Sequence, residues 1–254
     1  MPTPFSHLAL AEDILTHPRL PSLVGRRLMH ARSAFLLGST APDTCTLGGQ
    51  PRPSTHFFEV PMKDSRPATQ RLLAQHPQLA YSKQLKLGHT AFLAGYLAHI
   101  AVDQAWVRCI FEPVYGLRAS WLTFHQRLVN HNLLRAYLDQ QYRGRLRDDL
   151  AAVLRDAEPN AWLPFTPDTT LHRWRDHIAE QLEPGARSYT VAVFAERLGI
   201  KAEGFAARLQ SQEDLDRSIF RHISNRRLEA FHRFSLRLML EVVMAYFEGK
   251  IEDG

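Results

Sequence analysis

Apolar side chains recur along most of the chain at spacings of three and four, and no stretch alternates apolar with polar for long enough to suggest a sheet. Helices are expected throughout. Ser6 is placed to cap a first helix running to about Thr16, where His17 and Pro18 end it. A second helix is expected over residues 22–38, carrying Leu23, Leu28, Phe35, Leu36 and Leu37 and stopping at Gly38, with Pro42 beyond. Residues 39–65 are rich in proline, glycine, serine and threonine and read as a long loop, of the kind that often carries function. A short helix follows over residues 67–75. The most periodic segment, 84–111, reads as a long buried helix ended by Pro113 and Gly116, and another helix covers 119–142. Further helices are expected near 168–183, 187–198 and 200–210. A last, amphipathic one spans 213–249, where Leu215, Ile219, Ile223, Phe231, Phe234, Leu238 and Val242 form an apolar stripe. Residues 160–168, with two prolines, are the one candidate linker. The pattern predicts an all-α, multi-helix fold and a single helical domain over residues 1–254.

Composition narrows the class without naming it. The 254 residues can bury a core without covalent staples. Two cysteines, Cys45 and Cys109, make no disulfide framework, and Cys109 is expected to be buried as a small apolar residue. The start lacks a charged stretch followed by an apolar one, and the longest apolar-leaning run, 91–110, holds His99, Asp103, Gln104 and Arg108. That run is too polar to span a bilayer. A cytoplasmic location is the default expectation. The formal net charge of +5 comes from arginines scattered among acids. A basic C-terminal helix (Arg217, Arg221, Arg226, Arg227, Arg233 and Arg237) has no nucleic-acid-binding motif around it.

Thirteen histidines are a large number for a chain of this length, and their positions matter more than their count. His99 and Asp103 are four apart on a predicted helix, so they project from one face. A neutral imidazole and a carboxylate so placed can share one cation, and the carboxylate can also bridge two. At about 100° per residue, Phe92, Tyr96 and Trp106 fall on the same stripe, with His89 at its edge. Burying Asp103 there without a cation or a donor would be costly. His7 opens the first helix, Asp43 follows a helix end, and His56 lies in the long loop. Together these five residues make a nitrogen and oxygen donor set suited to zinc.

The phrases SHLALAEDIL, FLLGSTAPD, THFF and GHTAFLAGYLAHIAVDQAW resemble the zinc-dependent phospholipase C family, a relative of the S1/P1 nucleases, over about residues 5–140. The resemblance implies a phospholipase C / P1 nuclease-like helical bundle, with the metal site in residues 1–140 and a helical C-terminal extension. It also implies that Asp43, His56, His99 and Asp103 hold one zinc, and that Asp103 bridges to a second, also bound by His7. A third ion would need two histidines and an acid four residues after the second. His125 and His131 are present, but Arg135 stands where the acid belongs. His131 and His89 stay candidate ligands, although His89 precedes His99 by ten residues, about 15 Å along a helix. The family's N-terminal tryptophan ligand is missing, and the Pro2 amine would substitute if Met1 were removed. His17, His30, His76, His172, His177, His222 and His232 read as surface residues.

The implied activity is zinc-dependent hydrolysis of a phosphoric ester, a phospholipid or another phosphodiester, by a metal-activated water with Asp43 as the catalytic residue. The alternative is a weakly active or non-catalytic metal-binding scaffold. No GxSxG elbow, phosphate-binding GxxxxGK[ST] loop, GxGxxG or HExxH motif competes with this reading.

Overall fold

A computed structural model describes residues 2–251, and among them there is no strand. Fourteen helices are named in chain order: α1 (Pro4–Leu15), α2 (Ser22–His30), α3 (Arg32–Gly38), α4 (Cys45–Gly48), α5 (Pro53–His56), α6 (Ala68–Gln75), α7 (Leu87–Trp106), α8 (Phe124–Arg143), α9 (Leu150–Arg155), α10 (Asp168–Leu182), α11 (Thr190–Leu198), α12 (Ala202–Gln210), α13 (Gln212–Leu215) and α14 (Asn225–Glu248). The expected all-α class is the class observed.

At the centre lies α7, buried on nearly every side from Thr90 to Trp106. Its sequence explains this, because its core-facing residues are small or apolar all round and it has no solvent stripe. α3 packs along one side and α14 along another, while α1 lies against α8. The buried apolar residues form one core cluster, with members from Phe5 to Phe247. Arg32 ties α1, α3 and the start of α9 together through Glu12 (2.7 Å) and Asp149 (2.9 Å). Among the described residues no helix is long and apolar enough to cross a membrane.

Several expected boundaries are displaced for local reasons. The first helix begins at Pro4, not after Ser6, because proline suits the first helical position, where no N–H is needed. The helix expected over 22–38 is broken at Ala31, whose backbone (φ −116°, ψ 37°) leaves the helical region. The loop expected over 39–65 contains a tight turn at Ala41–Thr44 and the short α4 and α5. Beyond Trp106 the long helix widens into a π-type turn, Val107–Tyr115, that accommodates Pro113. This turn swings Cys109 outward, so the expectation of a buried Cys109 is corrected: its thiol is exposed. α8 starts late, at Phe124, because Thr123 and Gln126 form a reciprocal capping box. The final amphipathic stretch is interrupted by a wide turn at Asp216–Phe220, and Ser224 then caps α14.

Candidate metal centre

Five of the histidines and aspartates singled out from the sequence come together where α1, α3, α5 and α7 meet. His99 and Asp103 project from the same face of α7, and both are buried. His7 reaches them from the first turns of α1, its Nε2 3.2 Å from Asp103 Oδ1. Its ring stacks on that of His99 at 3.7 Å. His56, the last residue of α5, brings Nε2 to 3.3 Å from Asp103 Oδ2 and 3.5 Å from Asp43 Oδ1. Asp43 sits in the tight turn after α3 and is 18% exposed, where Asp103 and the three imidazoles are at most 1%. The cluster therefore meets solvent on the Asp43 side.

Hydrogen bonds from outside the cluster settle which ring nitrogens carry protons. The carbonyl of Ser39 can only accept, so the His99 Nδ1–H donates to it at 2.8 Å, and Nε2 is turned inward. Thr55 donates its hydroxyl to the Arg52 carbonyl (3.2 Å) and accepts from His56 Nδ1 (3.0 Å), which turns the His56 Nε2 inward as well. Tyr96 anchors this segment by donating to the Thr55 carbonyl at 2.6 Å. His7 Nδ1, His56 Nε2 and His99 Nε2 are buried and make no hydrogen bond. Orphaned polar atoms at such depth are rare, and each calls for a reason.

Among the described residues two sets could each hold an ion, His7, His99 and Asp103, and Asp43, His56 and His99; within each set the ligand atoms lie within 4.8 Å of one another. Inward-facing imidazole nitrogens beside two carboxylates are what a divalent cation requires, so the residues present fit zinc. The electrostatics agree. Burial and the neighbouring His7 push His99 down to about 3, so it is neutral. Burial and Arg52 lower His56, but the carboxylates of Asp103 and Asp43 and the Cys45 thiol hold it up at about 10. Burial alone would raise Asp43, yet His56 and His99 bring it down to about 2.

One group at the centre was not legible in the sequence. Arg52 places Nη2 2.5 Å from Asp103 Oδ2, and its guanidinium lies over the Phe58 ring. An arginine four residues before His56, in a proline-rich stretch, carries no signal of that placement.

His89 and His131 are not brought to the cluster. His89 Nε2 bonds the Trp162 carbonyl at 2.7 Å on the far part of α7. His131 Nε2 accepts the Trp106 indole N–H at 2.9 Å, among the rings of Phe111 and Tyr115. His125 is exposed. Trp106, expected beside the site, is therefore engaged with His131. Met1, whose removal would free the Pro2 amine, lies outside the described residues.

An all-helical fold that buries a converging set of imidazoles and carboxylates defines a class, the helical proteins whose nitrogen and oxygen donors could hold a metal ion. Within that class, residues 6–106 match the family model for zinc dependent phospholipase C. The match supports the resemblance drawn from the motifs. It takes in all five converging residues and ends at Trp106, where α7 ends, so Arg135 lies outside it. No curated protein and no solved structure is significantly similar to the chain.

Zinc ligands bind deprotonated, and His56 in the metal-free protein is held protonated up to about pH 10. Zinc binding at pH 7 is therefore expected to expel about one proton, and affinity should rise with pH between neutrality and about 10. Calorimetry in buffers of different ionisation enthalpy reads that proton directly. Binding heats that do not change with the buffer would contradict the assignment of His56.

Proposed function

We propose that the chain is a zinc-dependent hydrolase of phosphoric esters, similar in its centre to phospholipase C. The observation that carries this reading is the convergence of the inward-facing His56 and His99 Nε2 atoms, neither of them hydrogen-bonded, on the carboxylates of Asp103 and Asp43. Asp43, His56, His99 and Asp103 would hold one ion, and Asp103 with His7 would reach a second. Bound zinc supplies Lewis acidity toward water and toward the phosphoryl oxygens.

The remaining work falls to the protein's own groups. The Ser39 carbonyl and the Thr55 hydroxyl fix the ring orientations of His99 and His56. Asp43 is ionised and is the one carboxylate of the cluster that reaches solvent. It accepts a hydrogen bond from an incoming water and orients it. With a pKa of about 2, Asp43 is a weak base, so orientation suits it better than full proton removal.

A second reading, a metal-binding protein without turnover, is favoured by Arg52, whose guanidinium already neutralises Asp103. One experiment separates the two. Protein purified without added metal is analysed for zinc, then assayed on chromogenic phosphate mono- and diesters with and without a chelator. Bound zinc with turnover that a chelator abolishes and zinc restores is the expected result. Zinc without turnover on either ester selects the second reading. No zinc before or after its addition ends both.

A further inference from the structure

Three large apolar side chains stand in solvent in the loop that joins the π-type turn to α8. Leu117 is 67% exposed, Leu122 56% and Phe124 38%. Single exposed leucines are ordinary, but a group of apolar side chains on one short loop marks a surface that meets something other than water. Leu122 also holds a positive φ of 55°, which leucine rarely adopts. Such a conformation persists only where the surroundings impose it, and it is found where the placement of the side chain has a use.

The surroundings here are a brace. Arg127, buried near the start of α8, donates its Nε–H to the Tyr115 carbonyl (3.3 Å). Its Nη groups donate to the carbonyls of Gly116 (3.1 Å), Trp121 (3.1 Å) and Leu122 (2.7 Å). The Trp121 indole N–H takes the Val114 carbonyl at 2.7 Å. On the amide side, Ala119 donates to the Gly116 carbonyl and Thr123 to the Gln126 side chain. A loop surrounded by water has no need of this, because water bonds its carbonyls. A loop that enters the edge of a bilayer does, since a polar group carried there without a partner is costly. The brace therefore favours lipid over a protein partner, whose own polar groups would bond the loop.

The charge around the loop agrees. Residues 113–138 contain no aspartate or glutamate, and neither do residues 217–228. The two segments meet where the Trp121 ring stacks on that of His222 at 3.6 Å. Arg227 ties the second segment to the π-type turn through the Cys109 carbonyl (2.6 Å). Arg118, Arg221, Arg226 and Arg227 are all exposed. Apolar side chains flanked by arginines, with a half-buried tryptophan among them, are the elements of attachment to an anionic membrane surface.

We propose that the loop over residues 117–124 docks the protein on an anionic phospholipid bilayer. Leu117, Leu122 and Phe124 enter the boundary between head groups and acyl chains, and the surrounding arginines meet the head-group phosphates. Docking of this kind needs nothing from the metal centre and holds whatever the cluster binds.

The test is flotation of the full chain with vesicles of phosphatidylcholine, alone or with about a third phosphatidylglycerol. The wild type should bind the mixed vesicles at least about tenfold more tightly than the neutral ones, and less tightly as salt is raised. Leu117→Ser should weaken binding by about tenfold, and Arg118→Gln and Arg221→Gln by about fivefold each. Leu23→Ser, which changes a leucine equally exposed on α2, should bind as the wild type does. Leu122→Asn separates display from folding, because asparagine accepts a positive φ more readily than leucine. That variant should melt at or above the wild-type temperature while its vesicle binding falls by about tenfold. Unchanged vesicle binding in Leu117→Ser and Leu122→Asn overturns the proposal, as does a wild-type protein that floats with neither vesicle. A wild type that floats with neither but self-associates, and loses that association in Leu117→Ser, makes the loop a protein interface and overturns it equally.

Discussion

Asp103→Asn is expected to strip the protein of zinc, lowering affinity by more than the 10–100-fold typical of losing an outer partner of a metal ligand. The side chain keeps its volume, so the effect is chemical. Asp103 accepts from His7 and Arg52 and lies within 3.8 Å of the His56 and His99 Nε2 atoms. An amide in its place removes a negative charge and turns an N–H₂ group toward at least one neighbour that is itself a donor. The substitution removes the one carboxylate of the cluster that lies within 3.8 Å of all three imidazoles. His89→Gln and His131→Gln are the matched controls, because their rings are engaged with Trp162 and Trp106. Both should retain wild-type zinc. Elemental analysis of the folded fraction, checked by circular dichroism, decides the matter, and equal zinc in Asp103→Asn and His131→Gln would refute the ligand set.

Why these residues could be read from the sequence at all differs from one to the next. The His99 and Asp103 pair was legible because helical periodicity puts positions four apart on one face, whatever surrounds the helix. His7, Asp43 and His56 come from other segments, and only the order of motifs linked them to α7. Nothing local says that a turn after α3 and a one-turn helix at Pro53–His56 will fold back over it. Arg52 was invisible for the same reason, since nothing near it in the sequence says that it will reach Asp103. His131 shows the opposite failure. Its spacing from His125 suggested a ligand, but the indole N–H of Trp106 satisfies its nitrogen, and that partner lies a helix away. The fold class was legible because helical spacing dominates the apolar pattern and no long alternation competes with it. The helix breaks at Ala31 and at Asp216–Phe220 were not, because the residues there have no strong helix-stopping character.

Gly38→Ala and Gly95→Ala should be the most damaging single-methyl changes in the protein. Gly38 reads in the sequence as a helix-stop signal, yet its importance in the fold is space. A Cβ on Gly38 would lie 1.9 Å from the Phe92 carbonyl oxygen, and one on Gly95 would lie 2.4 Å from the Phe35 carbonyl oxygen and 2.7 Å from the Ser39 nitrogen. These obstacles are backbone atoms, which cannot turn aside as a flexible side chain would. The two glycines thus let α3 and α7 touch main chain to main chain, and that approach sets the 2.8 Å bond from His99 to the Ser39 carbonyl. Adding either methyl must push the helices apart, at a cost of about 3 kcal/mol or more. For a chain of this size that is a fall of roughly 6–12 °C in melting temperature. Zinc affinity should fall too, because His99 loses the acceptor that orients it. Gly204→Ala provides the contrast, since a Cβ there meets nothing within 4 Å. In the interior of α12 it should be neutral or stabilising by about 0.5–1 kcal/mol. Thermal melts of the three variants, with and without zinc, test the argument, and a Gly95→Ala protein that melts with Gly204→Ala would show that α3 and α7 are not held by backbone contact.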